Sequence, residues 1–156
     1  MTNQNSQTTL TKNLMHDFGI DQTQAQTLSN FFNSKNAPLT YAQGLADAKA
    51  AYHYDCEAEH ITPAKVIDVL NLFDVIIEAI QDSPAWKQFM QQHPALQDTY
   101  LDVYNDEIEF MDTADDDPQT ASQYRAKFQQ IDQFVYQNFN IHVHPYYDLT
   151  FDFDEA

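Results

Sequence analysis

Residues 63–81 read PAKVIDVLNLFDVIIEAIQ, and this stretch decides the fold. Its polar residues recur every three or four positions along a surface that is otherwise Val, Ile, Leu, Phe and Ala; they are Lys65, Asp68, Asn71, Asp74, Glu78 and Gln81. A polar period of three to four over this length predicts a helix, although the many β-branched residues would also suit a strand. Because the polar stripe is narrow, we predict that residues 63–81 form the central helix, buried on most sides.

Capping residues predict where the other helices start. Asp, Thr and Ser supply side-chain caps, and a Pro directly after a cap residue occupies the first helical position, where its missing N–H is tolerated. The start signals are Asp21, Thr40, Thr62-Pro63, Ser83-Pro84 and Asp117-Pro118. Together with the apolar spacing, they predict helices over residues 10–18, 21–34, 40–60, 63–81, 84–92, 94–113 and 118–139.

The fold class also depends on what is rare in the sequence. The chain has two glycines and neither an Asn-Gly nor an Asp-Gly pair, which argues against tight hairpins and an all-β architecture. We therefore predict an all-α, single-domain bundle of six or seven helices over residues 1–156. Residues 1–8 are expected to be a frayed N-terminus, and residues 141–156, where apolar and polar residues alternate, an extended or short β-hairpin tail.

The charge is strongly negative and unevenly distributed. Twenty-four acidic residues stand against seven Lys plus Arg, which gives a net charge of −17. Residues 1–97 carry a net charge of −5 and residues 98–156 one of −12. Direct binding to nucleic acid is not expected, because affinity for phosphates comes from Lys and Arg. A protein partner with a basic surface is favoured instead.

The most acidic segment is the predicted helix 94–113 with the loop after it. Its acids include Asp98, Asp102, Asp106, Glu109, Asp112, Asp115, Asp116 and Asp117, and residues 98–117 contain no base. Residues four apart on a helix lie ~6 Å apart along its axis, a spacing similar to that of successive phosphates on a nucleic-acid strand. We predict that these acids bind a partner; the alternative is that they only keep the surface solvated.

In composition and helicity alone, such a row resembles the acidic DNA-mimic proteins with which phages block restriction, repair or CRISPR enzymes. The resemblance implies a nucleic-acid-binding protein as the partner. It rests on the charge spacing of Asp98, Asp102 and Asp106 and on no sequence motif.

A metal site is the alternative function from another class. His53, Glu57 and His60 are spaced four and three apart, which puts them on one face of the predicted helix 40–60, and Glu-x-x-His is a ligand pair of di-iron helical bundles. The sequence lacks the second Glu-x-x-His of that class. The competing interpretation is that these are surface residues near a helix end. His142-x-His144 in the tail is a further weak metal signal.

Enzyme and membrane signatures are missing from the sequence. Gly19 and Gly44 are too few for a phosphate-binding glycine loop, and no nucleophile motif appears. Cys56 is the sole cysteine, which fits a reducing cytoplasm, and it falls on the apolar stripe of its helix. The N-terminus has no secretion signal, and acids interrupt the longest apolar segment.

We therefore predict a non-enzymatic cytoplasmic protein, without a cofactor, that binds another protein with a basic surface. The alternatives are a metal-binding helical protein and a stand-alone soluble domain whose acidity serves solubility only. Homo-oligomerisation is left open.

Overall fold

In the computed structural model, which describes residues 2–104, 107–112 and 121–145, three helices begin at their predicted caps. Asp21 accepts a hydrogen bond from the Gln24 amide at 2.7 Å and starts α2 (Gln22–Phe32). Thr40 and Gln43 form a reciprocal capping box, with distances of 3.2 and 2.8 Å, at the start of α3 (Tyr41–Ala58). Ser83 caps α5 (Pro84–Gln92) by accepting from the Trp86 amide at 3.2 Å.

The first helix is longer than predicted. α1 spans Thr2–Phe18, so it begins before residue 10, where the predicted first helix starts, and it includes residues 2–8 of the expected frayed N-terminus. The helix ends at Gly19, whose φ of +66° is a left-handed conformation that glycine adopts without steric cost.

The central helix is α4 (Val69–Asp82), which is shorter than the predicted helix 63–81. Asp68, and not Thr62, provides the cap by accepting from the Leu70 amide at 3.0 Å. The residues before it are held in a non-helical connection, because the Ala64 amide donates to Tyr52 Oη at 3.1 Å and the Ile67 amide donates to the Asp17 carbonyl at 3.0 Å. α4 packs against α3, α5 and the sheet, as its narrow polar stripe predicts.

The predicted helix 94–113 is wrong. A 3-10 turn covers Pro94–Leu96, and an antiparallel hairpin of β1 (Thr99–Tyr104) and β2 (Glu107–Asp112) follows it. The physical reason is a period of two: Leu101, Ile108 and Phe110 are buried on the inner face, whereas Tyr100, the neighbour of Leu101 in the strand, is 38% exposed.

The C-terminal part of the described chain consists of α6 (Ala121–Phe139) and a short strand, β3 (His144–Pro145). β3 pairs in parallel with β2, which gives the sheet order β1-β2-β3. Ile141 and Val143 are buried while His142 and His144 are exposed, so the alternation predicted for the start of the tail is present. The Asp117-Pro118 start signal and the rest of the tail, residues 146–156, lie outside the described residues.

The core joins all of these elements except β3. Its largest fully buried side chains are Leu14, Leu28, Phe31, Leu72, Ile76, Ile80, Leu96, Phe110, Tyr124, Ile131, Val135 and Phe139. Within the described ranges the protein therefore has six α-helices and one small three-stranded sheet, a mostly helical fold in which the all-α prediction fails at the hairpin.

Candidate protein-binding surface

The outer face of the hairpin carries acidic residues on both strands. Asp102 on β1 is the direct cross-strand partner of Glu109 on β2, and Glu107 lies two residues before Glu109 on the same face. Like charges directly opposite each other in a sheet repel, so this arrangement is unfavourable for the stability of the hairpin.

The polar stripe of α4 adds further carboxylates next to β1. Burial raises the pKa of Asp74, and the negative charges of Asp102, Glu78, Asp55 and Asp68, in that order, raise it further. The four charged neighbours that raise the pKa of Asp74 are all carboxylates. The Asp74 carboxylate therefore lies where acids from α3, α4 and β1 converge.

Neighbouring negative charges act on β2 as well. Burial raises the pKa of Glu109, the charges of Glu107 and Asp102 raise it further, and His144 acts in the opposite direction. His144 Nδ1 is 3.8 Å from Glu107 Oε2. Asp102 thus acts on both groups of acids, which form one acidic surface: Asp55, Asp68, Asp74, Glu78, Asp102, Glu107 and Glu109.

Two of the predicted binding residues, Asp102 and Glu109, belong to this acidic surface. Asp98 is exposed immediately before β1, and Asp112 ends β2 opposite Thr99. The structure does not describe the remaining four, Asp106, Asp115, Asp116 and Asp117.

The helical row of carboxylates predicted from Asp98, Asp102 and Asp106 is not formed, because residues 99–104 are a strand. Four residues advance ~13 Å along a strand, compared with ~6 Å along a helix. The similarity to phosphate spacing, on which the comparison with DNA mimics depended, is therefore lost.

Four members of the acidic surface lie outside the predicted acidic segment 98–117, namely Asp55, Asp68, Asp74 and Glu78, whereas Glu107 lies within it. Three of them, Asp68, Asp74 and Glu78, stand in the polar stripe of residues 63–81 and could have been found there. What the sequence does not show is that β1 packs beside this stripe.

The three predicted metal ligands do not share a helix face. α3 ends at Ala58, and His60 lies beyond it with a φ of +60°. The Ile61 amide donates to the Cys56 carbonyl at 2.8 Å and the His60 amide to the Glu57 carbonyl at 3.2 Å, which is the pattern of a Schellman helix end. In the part of the chain that the structure describes, no three His, Cys, Asp or Glu side chains are grouped to hold a metal ion.

The two histidines of the tail contact different carboxylates. His142 Nδ1 lies 3.1 Å from Asp132 Oδ1, and its ring stacks on Tyr136 with 4.1 Å between centroids. His144 faces Glu107 instead. Asp132 Oδ1 also accepts from the Val143 amide at 2.9 Å, so these contacts hold the segment 141–145 against α6.

Comparison of the chain with protein-family models, with curated proteins and with solved structures finds no match in any of the three. Among the described residues, no helix is both long enough and apolar enough to cross a membrane.

Proposed function

We propose that this chain is a non-enzymatic protein that binds a basic surface of another protein through its acidic surface. The observation that carries the proposal is the convergence of carboxylates from three elements on Asp74, whose pKa is raised by burial and then by the surrounding acids. A surface with such mutual repulsion is stabilised when a partner supplies positive charge.

The position of the acids supports a binding surface more than solvation. Solvating charges serve equally well when they are dispersed, whereas Asp102 and Glu109 are direct cross-strand partners, and the charge of Asp102 also raises the pKa of Asp74. Their repulsion lowers the stability of the free protein. A partner that covers them with Lys or Arg removes this repulsion.

The test is affinity purification with the wild-type chain and two charge-matched variants. Asp102→Asn/Glu109→Gln removes two charges from the acidic surface, and Asp47→Asn/Glu59→Gln removes two exposed charges that act on neither Asp74 nor Glu109. Each immobilised protein is incubated with nuclease-treated lysate of the native host, and bound proteins are quantified by mass spectrometry.

We expect a protein that the wild type and the Asp47/Glu59 variant retain and that the Asp102/Glu109 variant loses. Equal loss in both variants would indicate nonspecific attraction to a negative chain. An unchanged set of bound proteins in all three would leave solvation as the role of these acids.

A further inference from the structure

A cleft opens between the α1–α2 turn and the connection from α3 to α4. Its volume is about 650 Å³, and its lining is mixed. Ile20 from the turn, Tyr52 from α3 and Val66 from the connection contribute apolar groups, and Asp21, Gln24 and Asp68 contribute polar ones. Val66 is 49% exposed and lies over Gly19, where an added Cβ would come within 3.1 Å of Val66 Cγ1. The cleft thus presents the aliphatic side chain of Val66 to solvent, at the point where this side chain packs closely over the backbone of Gly19.

Carboxylates border the cleft on two sides. Asp21 and Asp68 both line it and both are exposed. A second cavity of about 190 Å³ shares Gln24 with the cleft, and Glu107 on β2 is among its lining residues. The described residues that line the two cavities include no Lys or Arg; the basic side chains there are His142 and His144, at the far end.

The walls of the cleft are fixed before any ligand binds. Hydrogen bonds tie the connection to α3 through Ala64 and Tyr52, and to α1 through Ile67 and Asp17. Asp68 is held as the cap of α4. A ligand therefore does not have to order this segment, which reduces the entropic cost of binding.

We infer that the cleft is the docking site for a basic amphipathic segment of the partner protein. An aliphatic side chain of that segment packs against Ile20 and Val66, and flanking Lys or Arg side chains pair with Asp21 and Asp68. Charge complementarity selects this occupant, because an acidic segment would meet two carboxylates at the rim of a chain with a net charge of −17. The inference rests on the proposed function and adds the apolar anchor that the acidic surface lacks.

The two rim carboxylates can be neutralised without loss of their capping role. Asn caps helices about as well as Asp, so Asp21→Asn/Asp68→Asn removes two charges from the cleft while both caps are kept. The charge-matched control is Asp47→Asn/Glu59→Gln, whose two positions line neither cavity. Val66→Arg places a positive charge in the apolar wall, and Val66→Thr keeps the shape of the side chain with less apolar surface.

The probe is a fluorescein-labelled synthetic peptide in which Leu-Lys-Lys-Leu-Leu-Lys-Leu is repeated twice. A second peptide has Ser in place of every Leu and therefore keeps the charge without the apolar face. Affinities are measured by fluorescence anisotropy with full-length protein, and circular dichroism verifies that each variant is folded. We expect Asp21→Asn/Asp68→Asn to weaken binding about fivefold, Val66→Arg roughly tenfold, and the Ser peptide not to bind detectably.

The two glycines provide a residue-specific readout by ¹H–¹⁵N NMR. Gly19 lines the cleft, whereas Gly44 is buried in α3 against Phe32 and Leu39. Addition of the Leu-containing peptide should shift the Gly19 amide signal and leave the Gly44 signal in place.

The alternative outcomes separate this inference from the proposed function. Asp68 belongs to the acidic surface as well as to the rim of the cleft, so Val66→Arg, which changes the cleft alone, decides between the two sites. Loss of affinity in Asp102→Asn/Glu109→Gln but not in Val66→Arg would overturn the cleft and leave the acidic surface as the binding site. Equal binding of the Ser peptide, or equal weakening by Asp47→Asn/Glu59→Gln, would also overturn the cleft, as would a failure of the wild type to bind the probe. The purification with host lysate tests the proposed function independently of these results.

Discussion

Gln81 of α4 and Leu101 of β1 are joined by a hydrogen bond of 3.0 Å, in which the Leu101 amide donates to Gln81 Oε1. Leu101 lies on β1, the outer strand of the sheet, and edge strands with free N–H groups can pair with other chains. The Gln81 amide group is itself held, because Nε2 donates to the Ile77 carbonyl at 3.0 Å. One side chain of the central helix thus satisfies a backbone group at the edge of the sheet.

We expect Gln81→Met to lower the free energy of unfolding by about 1–2 kcal/mol, because the partly buried Leu101 amide loses its acceptor. Met is similar to Gln in length and helix propensity, so the lost hydrogen bond is the main change. Urea denaturation gives the stability, and hydrogen exchange at the Leu101 amide should be faster. The control Gln88→Met is at an exposed position of α5 and should change stability by less than about 0.5 kcal/mol. Equal effects at positions 81 and 88 would contradict this account of the sheet edge.

Neutralising Asp74 should stabilise the protein at neutral pH. In the folded protein its pKa is raised above the ordinary value of 3.8 by burial and by neighbouring acids. The folded state therefore takes up this proton at a higher pH than the unfolded chain does, so stability falls as the pH rises from the ordinary to the raised pKa. Asp74→Asn should add about 0.5 kcal/mol at pH 7, because it removes repulsion that includes Glu78 at the i+4 position.

The measurement is urea denaturation of wild type and Asp74→Asn between pH 4 and neutral. The gain in stability that the wild type shows on acidification should be smaller in the variant. Asp47→Asn serves as the control, since Asp47 is exposed and does not act on Asp74. Parallel pH profiles for wild type and Asp74→Asn would show that this carboxylate is not the source of the pH dependence.

Replacing His60 with glycine should stabilise the helix end. His60 has a φ of +60°, a left-handed conformation in which an L-residue with a side chain is less stable by about 1–2 kcal/mol. We expect His60→Gly to raise Tm by roughly 2–4 °C, as follows from about 1 kcal/mol in a chain of this size. His60→Ala, which removes the imidazole but keeps the Cβ, should show no comparable gain in thermal unfolding followed by circular dichroism. A destabilised glycine variant would mean that the imidazole makes a contribution beyond closing α3.

Tyr41→Phe should lower the free energy of unfolding by about 1–2 kcal/mol, because it leaves the Asp17 Oδ2 oxygen, in a partly buried contact, without its hydrogen-bond donor. Tyr41 Oη donates to Asp17 Oδ2 at 2.6 Å, and burial, followed by this hydrogen bond and the charge of Asp17, raises the pKa of the phenol. Tyr54→Phe is the matched control, since Tyr54 is 73% exposed. Urea denaturation of the two variants at neutral pH compares them directly, and similar stabilities would argue against a structural role for the Tyr41–Asp17 contact.

The helices that were predicted well have local determinants. Asp21, Thr40 and Ser83 cap their helices with side-chain hydrogen bonds to residues only three positions away, so the sequence contains both partners. The start of α4 was missed because the deciding bonds are not local: they tie Ala64 to Tyr52 and Ile67 to Asp17.

The hairpin was not predicted because its apolar residues fit both the helical spacing of three to four residues and the strand spacing of two. Tyr100, Val103 and Ile108 agree with a helical stripe, while Leu101 and Val103 alternate as in a strand. The number of acidic residues is a property of the sequence, but their distribution in space depends on this hairpin and on its packing beside α4.

The parallel pairing of β2 with β3 has a consequence for the order in which the protein forms during synthesis. β1 and β2 are adjacent in the chain and can pair as soon as residues 99–112 have left the ribosome, whereas β3 follows the whole of α6. Hairpins form within microseconds, far faster than the ribosome adds residues. The nascent hairpin therefore has its β2 edge uncovered until residues 144–145 emerge. During this interval the unpaired backbone groups of β2 are open to pairing with other chains, so this is when a chaperone would be needed most.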